Sequence, residues 1–273
     1  HHRRRLVKTE INSGIIGATL KGLVLSLFPG IGLLDRAFED EGFCVVRGPD
    51  LLWGSCVKRF TPARGRFDGI IGGPPCKRFS PLANIVRAVH GEASVAPDLI
   101  PEYERIVGEA APAWFLMENV ERAPLPVVDG YIVRDEIINN RWVGGEQNRV
   151  RRFSFGTASG CRLRIETQAL DPFAFKPAVT TNSGGRRKVI AHDANGRVRG
   201  NQGSADHHRL EWRTLDAMAA DQVVPVDMLA LLQEHGAFTT KALRVGIGNG
   251  VPLPMGRAIA AAVARVVEDK QAA

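Results

Sequence analysis

The chain has 273 residues and a net charge of +7, with 44% hydrophobic and 24% charged residues and an isoelectric point near 9.6. That length accommodates one full α/β domain plus a small lobe, and the basic balance favours a polyanionic partner, since phosphate contacts supply most non-specific nucleic-acid affinity. The four cysteines, Cys44, Cys56, Cys76 and Cys161, form no C-x-x-C pair, which argues against a secretory disulfide framework and structural zinc and leads us to expect a cytoplasmic protein without a metal.

The start, His1-His2-Arg3-Arg4-Arg5, carries no Met, and residues 1–22 read as an N-terminal arm or tag remnant. Residues 14–34 are apolar, but Lys21, Pro29 and five glycines argue against a membrane span. A strand at 23–27 followed by Phe28-Pro29-Gly30-Ile31-Gly32 leads into a helix at 32–41, with Leu33, Leu34, Ala37 and Phe38 on one face. A strand, a glycine turn and a helix N-terminus form a cradle for a nucleotide-type ligand, although a lone G-x-G also marks a simple tight turn. A second strand at 43–47 precedes Asp50, whose carboxylate can accept from ribose hydroxyls. The glycine spacing is not the full dinucleotide fingerprint, so NAD is not implied.

A third strand at 67–71 runs into Gly72-Gly73-Pro74-Pro75-Cys76-Lys77-Arg78-Phe79-Ser80. Glycines allow a sharp turn and the prolines fix φ, so Cys76 is held at a strand's carboxyl end, where open α/β sheets bind ligands. On this segment alone, a positioned nucleophile and a buried structural thiol are equally good readings. Residues 77–97 show no periodicity and carry Lys77, Arg78, Arg87 and His90. A helix is expected at 98–110, and a strand at 113–117 that ends in Glu118-Asn119-Val120. Further strands are expected at 131–138 and 150–155. Arg149 and Arg151 alternate near the start of the last of these, so they share a face. Taken singly, Glu118 could be a surface acid or helix cap, and the arginines a solvated face.

Between 156 and 211 apolar periodicity fades and Gly, Asn, Arg and His accumulate. Asp193-Ala194-Asn195-Gly196, flanked by Lys188–His192 and Arg197–Arg199, reads as a hairpin. Helices are expected at 212–220, 226–234 and 254–268, the last preceded by Gly246-Ile247-Gly248-Asn249-Gly250-Val251-Pro252-Leu253-Pro254. Strands alternating with helices imply an α/β fold with a doubly wound, largely parallel sheet.

In chain order, LFPGIG, GGPPCKRFS, ENV, QNRVRRF and GNGVPLP closely resemble the motif series of the cytosine-C5 DNA methyltransferases, over about residues 23–267. The resemblance implies a methyltransferase-type fold, with a catalytic domain from 23–155 plus 212–273 and a target-recognition region at 156–211. It implies S-adenosyl-L-methionine as cofactor, double-stranded DNA as partner, a monomer in a bacterial or phage-infected cell, and in some systems a partner restriction endonuclease. Cys76 would be the nucleophile that adds to cytosine C6, and Glu118 would hold or protonate N3. One of Arg149 and Arg151 would contact cytosine O2, while both support the pocket. The thiol would need thiolate character, which cations and backbone N–H donors favour. Phe28, Gly30, Gly32, Asp50, Cys56, Pro75 and Asn249 would line the cofactor site. Lys77, Arg78 and Arg87 would lie on a loop that closes over DNA. Arg186, Arg187, Lys188, Arg197 and Arg199 would contact phosphate or guanine, a solvated loop being the plainer reading for each.

The sequence departs from the family pattern at three places. Cys56 stands where an aspartate usually reads the adenine amino group, Lys77 where Gln commonly follows the nucleophile, and Gly144-Gly145-Glu146 where Gly-x-Pro usually leads into the arginine motif. They leave open a catalytically weak or inactive relative that binds nucleic acid and cofactor. An RNA cytosine-C5 methyltransferase is a variant of the same chemistry.

Overall fold

The structure is a computed structural model that describes residues 20–79, 88–92, 95–168, 176–179, 186–188, 210–234 and 238–272. Its centre is a six-stranded sheet. The first strands are β1 (Leu23–Leu27), β2 (Cys44–Arg47), β3 (Gly69–Gly72), β4 (Trp114–Asn119) and β5 (Ile132–Asn139). The short β6 (Gln147–Asn148) precedes β7 (Val150–Thr157), and the spatial order is β2-β1-β3-β4-β7-β5. Pairs β2-β1, β1-β3 and β3-β4 are parallel, whereas β7 is antiparallel to both β4 and β5. Only β7 therefore runs against the others, and the sheet is largely parallel as expected.

The period-2 alternation of side chains assigns each strand's residues to two apolar layers. Val24, Ile71, Leu116 and Phe153 face helices α1 (Leu33–Asp40) and α6 (Leu253–Ala272). Leu25, Ile70, Phe115 and Met117 face α2 (Ile100–Ala110). Here helix numbers follow chain order, with α3 (Leu215–Gln222), α4 (Val226–Glu234) and α5 (Thr240–Asn249) before α6. A third apolar cluster joins α3, α4 and α5 to Ile31 and Leu33 of the glycine turn. The minor strands β8 (Lys176–Pro177), β9 (Arg186–Lys188) and β10 (Leu210–Trp212) form two small ribbons: β8 runs parallel to β6, and β9 antiparallel to β10.

The helix expected at 212–220 begins later because Thr214 is its cap, its hydroxyl accepting from the Ala217 N–H. Helix α5 was not expected at all. It contains Gly246 and Gly248, poor helix formers, in a stretch that reads as a turn. Packing explains it: a Cβ at Gly246 would stand 2.5 Å from Ile31 Cγ2, so glycine is what lets α5 lie against the first turn. The expected hairpin at 193–196 lies outside the described residues. Leu163, inside the stretch assigned from sequence to recognition, is buried in the layer under α6, and Arg265 donates to the Arg164 carbonyl. Among the described residues no single helix is long and apolar enough to cross a membrane.

Tyr103 of α2 is fully buried, and its hydroxyl donates to the Leu116 carbonyl at 2.9 Å, tying the helix to β4. Tyr103→Phe keeps the ring and removes this bond. It should lower unfolding free energy by about 0.5–1.5 kcal/mol, with the fold unchanged, as read from urea denaturation.

Candidate active site

The parallel strands bring their carboxyl ends to one sheet edge, and β7, running the other way, delivers its amino end there. Sequence positions far apart thus converge: Phe28–Gly32 after β1, Asp50 after β2, Cys76 after β3, Glu118 at the end of β4, and Arg149–Arg151 at the start of β7.

Cys76 opens a one-turn 3₁₀ segment, Cys76–Phe79, and is half-buried. The turn before it is pinned to β4, since the Asn119 side-chain amide donates to the Pro74 carbonyl at 3.1 Å. Glu118 is buried, and its carboxylate accepts from Arg151 Nε at 2.8 Å. That contact follows from register. Glu118 pairs with Phe153, so Arg151, two residues earlier, is its diagonal neighbour on the same face.

Burial pushes the Cys76 thiol pKa up, the Glu118 carboxylate pushes it further up, and Arg151 and Arg149 oppose both. The net direction is upward. The expected thiolate is therefore not the resting state, because desolvation and the nearby anion outweigh two cations.

Arg149 differs from expectation. It is 3% exposed, and its guanidinium donates to the carbonyls of Val179 (2.7 Å), Gly248 (3.1 Å) and Gly250 (3.1 Å). Burial and the neighbouring Arg151 lower its pKa to about 9, which leaves it charged at neutral pH. Its two terminal nitrogens are committed to backbone, its buried Nε has no partner among the described residues, and Arg151 is the arginine bonded to Glu118 beside Cys76. Asn249 is exposed, and the group it turns to Arg149 is its backbone carbonyl, at 3.4 Å.

Around the glycine turn, Gly30 (φ 57°) and Gly32 (φ 87°) are left-handed, which glycine adopts without strain. Phe28 shares that region (φ 55°) and packs on the α2-side layer. Asp50 accepts from the Gly30 N–H at 2.9 Å and the Leu52 N–H at 2.7 Å, so it splints the turn while each oxygen keeps a lone pair. Trp53 donates its indole N–H to the Gly30 carbonyl at 2.8 Å. A Cβ on Gly32 would meet the Arg47 guanidinium, which Asp35 holds at 3.1 Å. Asp35 is buried; desolvation raises its pKa to about 6 against the opposing Ser26 hydrogen bond and Arg47.

These residues fit a nucleoside-bearing cofactor. The space above Gly30 is open, and two cavities follow the same edge. One of about 240 Å³ is lined by Arg47, Gly48 and Trp53, and one of about 200 Å³ by Gly54, Ser55, Cys56, Arg59 and Phe60. Pro75 is exposed near Cys76.

Of the expected DNA-contacting residues, Arg78 pairs with Glu92 at 2.7 Å. Only the backbone of Lys77, Arg186, Arg187 and Lys188 is described, and Arg87, Arg197 and Arg199 lie outside the described residues. Sequence reasoning missed Gln147 and Gln222, both fully buried, and Arg47 and Trp53 beside the cofactor cavities. Gln147 lies within QNRVRRF and was within reach of motif reading, whereas nothing local marks the others.

The family model of the C-5 cytosine-specific DNA methylases matches residues 56–124, from Cys56 through the cysteine turn to just past Glu118. The Type II methyltransferase M.FnuDI of Fusobacterium nucleatum is 31% identical over 162 residues, which is 49% of this chain and 46% of the relative. M.HgiDI of Herpetosiphon aurantiacus is 33% identical over 167 residues, 50% of this chain and 52% of the relative. The chain spans about half the length of the curated relatives it matches. The structure of the Entamoeba histolytica methyltransferase EhMeth superposes with a TM-score of 0.54 at 12% identity, covering 91% of this chain and 98% of that one, a likeness of fold alone.

The electrostatics of the pocket make a prediction. Glu118→Gln removes an anion that raises the Cys76 pKa and leaves both arginines in place, so the thiol pKa should fall. Each unit of fall gives about tenfold more thiolate at a fixed pH below the pKa. Iodoacetamide labelling of Cys76, followed by mass spectrometry across pH, should show the rate profile moved to lower pH in Glu118→Gln and to higher pH in Arg151→Gln. Slower labelling in Glu118→Gln would contradict the assignment.

Proposed function

We propose that this chain, whose residues 56–124 match the family model of the C-5 cytosine-specific DNA methylases, transfers a methyl group from S-adenosyl-L-methionine to C5 of a cytosine in double-stranded DNA. The observation that carries this reading is the meeting of a half-buried thiol, Cys76, with the Glu118–Arg151 pair at the sheet edge that also holds the glycine turn.

C5 of cytosine is a poor nucleophile. In the proposed reaction Cys76 Sγ passes its proton to the Glu118 carboxylate and bonds to C6, which loads electron density onto C5. Glu118 holds N3 and hands the proton received from the thiol on to it, so the ring becomes the better electrophile, and N3 returns the proton when the product forms. When bound, the cofactor supplies the methyl group as an electrophilic sulfonium. A base then removes the C5 proton, the C6–S bond breaks, and the thiolate leaves. Glu118 has a second effect in this scheme. Once the proton it relays rests on N3, the carboxylate faces a protonated ring, which offsets its repulsion of the developing thiolate. Arg151 orients the carboxylate, and Arg149 supports the pocket from behind. The cytosine must leave the duplex stack to reach Cys76, at a cost of a few kcal/mol.

Phe28, Gly30, Gly32, Asp50 and Pro75 would hold the methionine and ribose end of the cofactor, and the cavity lined by Cys56 the adenine. Asn249 joins this group through its place in the last motif, which packs on the first. The basic surface, with Lys77, Arg78, Arg87 and the cluster at 186–199, would meet DNA phosphates.

Fluorine at C5 cannot leave as a proton, so DNA containing 5-fluorocytosine with cofactor should trap the protein in a denaturation-resistant complex, and Cys76→Ser should abolish it. Absence of the adduct on genomic-length fluorinated DNA, with cofactor binding intact, would favour the second reading, a relative that binds without turnover, to which Cys56 and the raised thiol pKa point.

Cys56 bears on affinity. A thiol is a weak acceptor, so Cys56→Asp should tighten S-adenosylmethionine binding by about threefold to tenfold, the size of one neutral hydrogen bond, with the DNA target unchanged. Calorimetry on both proteins measures this, and unchanged or weaker binding would mean that Cys56 does not face the adenine.

A further inference from the structure

Four residues far apart in sequence form one buried polar network behind the pocket. Gln147 Oε1 accepts from the Val179 N–H at 3.1 Å, and Arg149 donates to the Val179 carbonyl at 2.7 Å. Two side chains two residues apart in one motif thus grip both polar groups of a single residue. Gln147 Nε2 in turn donates to Gln222 Oε1 at 2.9 Å and to the Asp221 carbonyl at 2.8 Å. Gln222 Nε2 donates to the carbonyls of Ile247 (2.7 Å) and Gly250 (3.3 Å) at the end of α5. Gln147, Gln222 and Val179 are fully buried.

Neither glutamine has a part in the chemistry proposed above, and both are expensive to bury unless their polar atoms are used. Here each amide uses its donor and its acceptor. The segment they hold is short and is anchored twice more. Its β8 residues pair with β6, and Lys176 contacts both Glu146 (2.5 Å) and Asp221 (3.3 Å). The Val179 side chain lies in the same apolar cluster as Ile31 and Leu33 of the glycine turn. From Val179 the chain runs into residues 180–209, the larger part of the stretch assigned to target recognition.

We infer that Gln222 is a positioning residue: through Gln147 it sets Val179, and so fixes where residues 180–209 leave the catalytic domain, beside the Gln147–Arg149 segment that leads into Arg151. The inference rests on the proposed DNA methylation for its functional consequence, while its structural core stands alone. Gln222 touches neither substrate nor cofactor in this arrangement. It orients the Gln147 amide so that Oε1 faces the Val179 N–H, because its own Oε1 takes the Gln147 amide hydrogen. Without that acceptor the Gln147 amide loses one of its two donor partners and the reason to keep its orientation.

Two measurements test this. In the unmodified protein, hydrogen exchange should protect the Val179 amide as strongly as the amides of β7, and fast exchange would overturn the inference with no variant needed. Gln222→Met preserves side-chain volume and removes the network bonds. It should speed Val179 exchange at least tenfold while β7 remains protected. It should also raise KM for DNA about tenfold with kcat changed less than about twofold, the size expected from a lost pair of buried hydrogen bonds. Gln147→Met should have a similar effect, and the double variant little more than either alone, since the two amides act as one unit. Additive effects, or Val179 exchange unchanged in Gln222→Met, would overturn the proposal. Loss of Val179 protection in a protein that methylates no DNA even when unmodified would uphold the clamp and instead remove the functional reading.

Discussion

A guanidinium shut away from water holds this molecule's working edge together. Taking a charge into the interior costs several kcal/mol unless its hydrogen-bonding capacity is filled. Arg149 meets most of that condition: its two terminal nitrogens donate to backbone carbonyls of Val179 and, at the end of α5, of Gly248 and Gly250, while its buried Nε finds no partner among the described residues. The carboxyl end of a helix is the negative end of its dipole, so a cation there is doubly placed. Three parts of the chain are fixed by one side chain: the start of β7, the segment at Val179 and the last turn of α5. Helix α5 carries the constraint onward, since Gly246 seats it against Ile31 of the glycine turn.

The same arrangement leaves Arg151 to the pocket. Its bond to Glu118 fixes the carboxylate beside Cys76, and the resulting balance keeps the thiol protonated at rest. For the proposed reaction, a resting thiol suits a nucleophile that would act only on a captured base. Thiolates oxidise and alkylate readily, whereas a thiol raised by burial and a neighbouring anion does not. Its reactivity is then set by burial and by the balance between the Glu118 charge and the two arginines.

On the cofactor side the geometry is built from backbone more than from side chains. Asp50 spends its carboxylate on the Gly30 and Leu52 amides, and Trp53 closes on the Gly30 carbonyl. Such a turn is preorganised, and less ordering entropy is lost when it is occupied. Arg47, held by the buried Asp35, fills the volume that a side chain at position 32 would need. The requirement for glycine there is thus both conformational and steric.

Much of this could be read from the residues in order. The strands alternate or run apolar, the turns carry glycine and proline, and both signals are local, so β1 to β4, α1, α2 and α4 follow from sequence with small shifts of boundary. The cysteine turn and the arginine motif are equally local, and it is the resemblance of the motif series that singles out Cys76, Glu118 and Arg151 as candidates. What sequence could not supply was the outcome of competition between distant groups. Helix α5 contains two glycines and forms because Ile31 leaves room for nothing larger. Arg149 and Arg151 look equivalent on an alternating strand, yet one finds carbonyls and the other a carboxylate. The direction of the Cys76 pKa hangs on whether burial and Glu118 or the two arginines prevail. Gln222 has no signature at all until the chain folds it against Gln147, 75 residues away. Local periodicity and turn chemistry determine the elements and their order. Only the tertiary structure, by setting which buried polar groups find partners, decides what each residue at the shared edge is free to do.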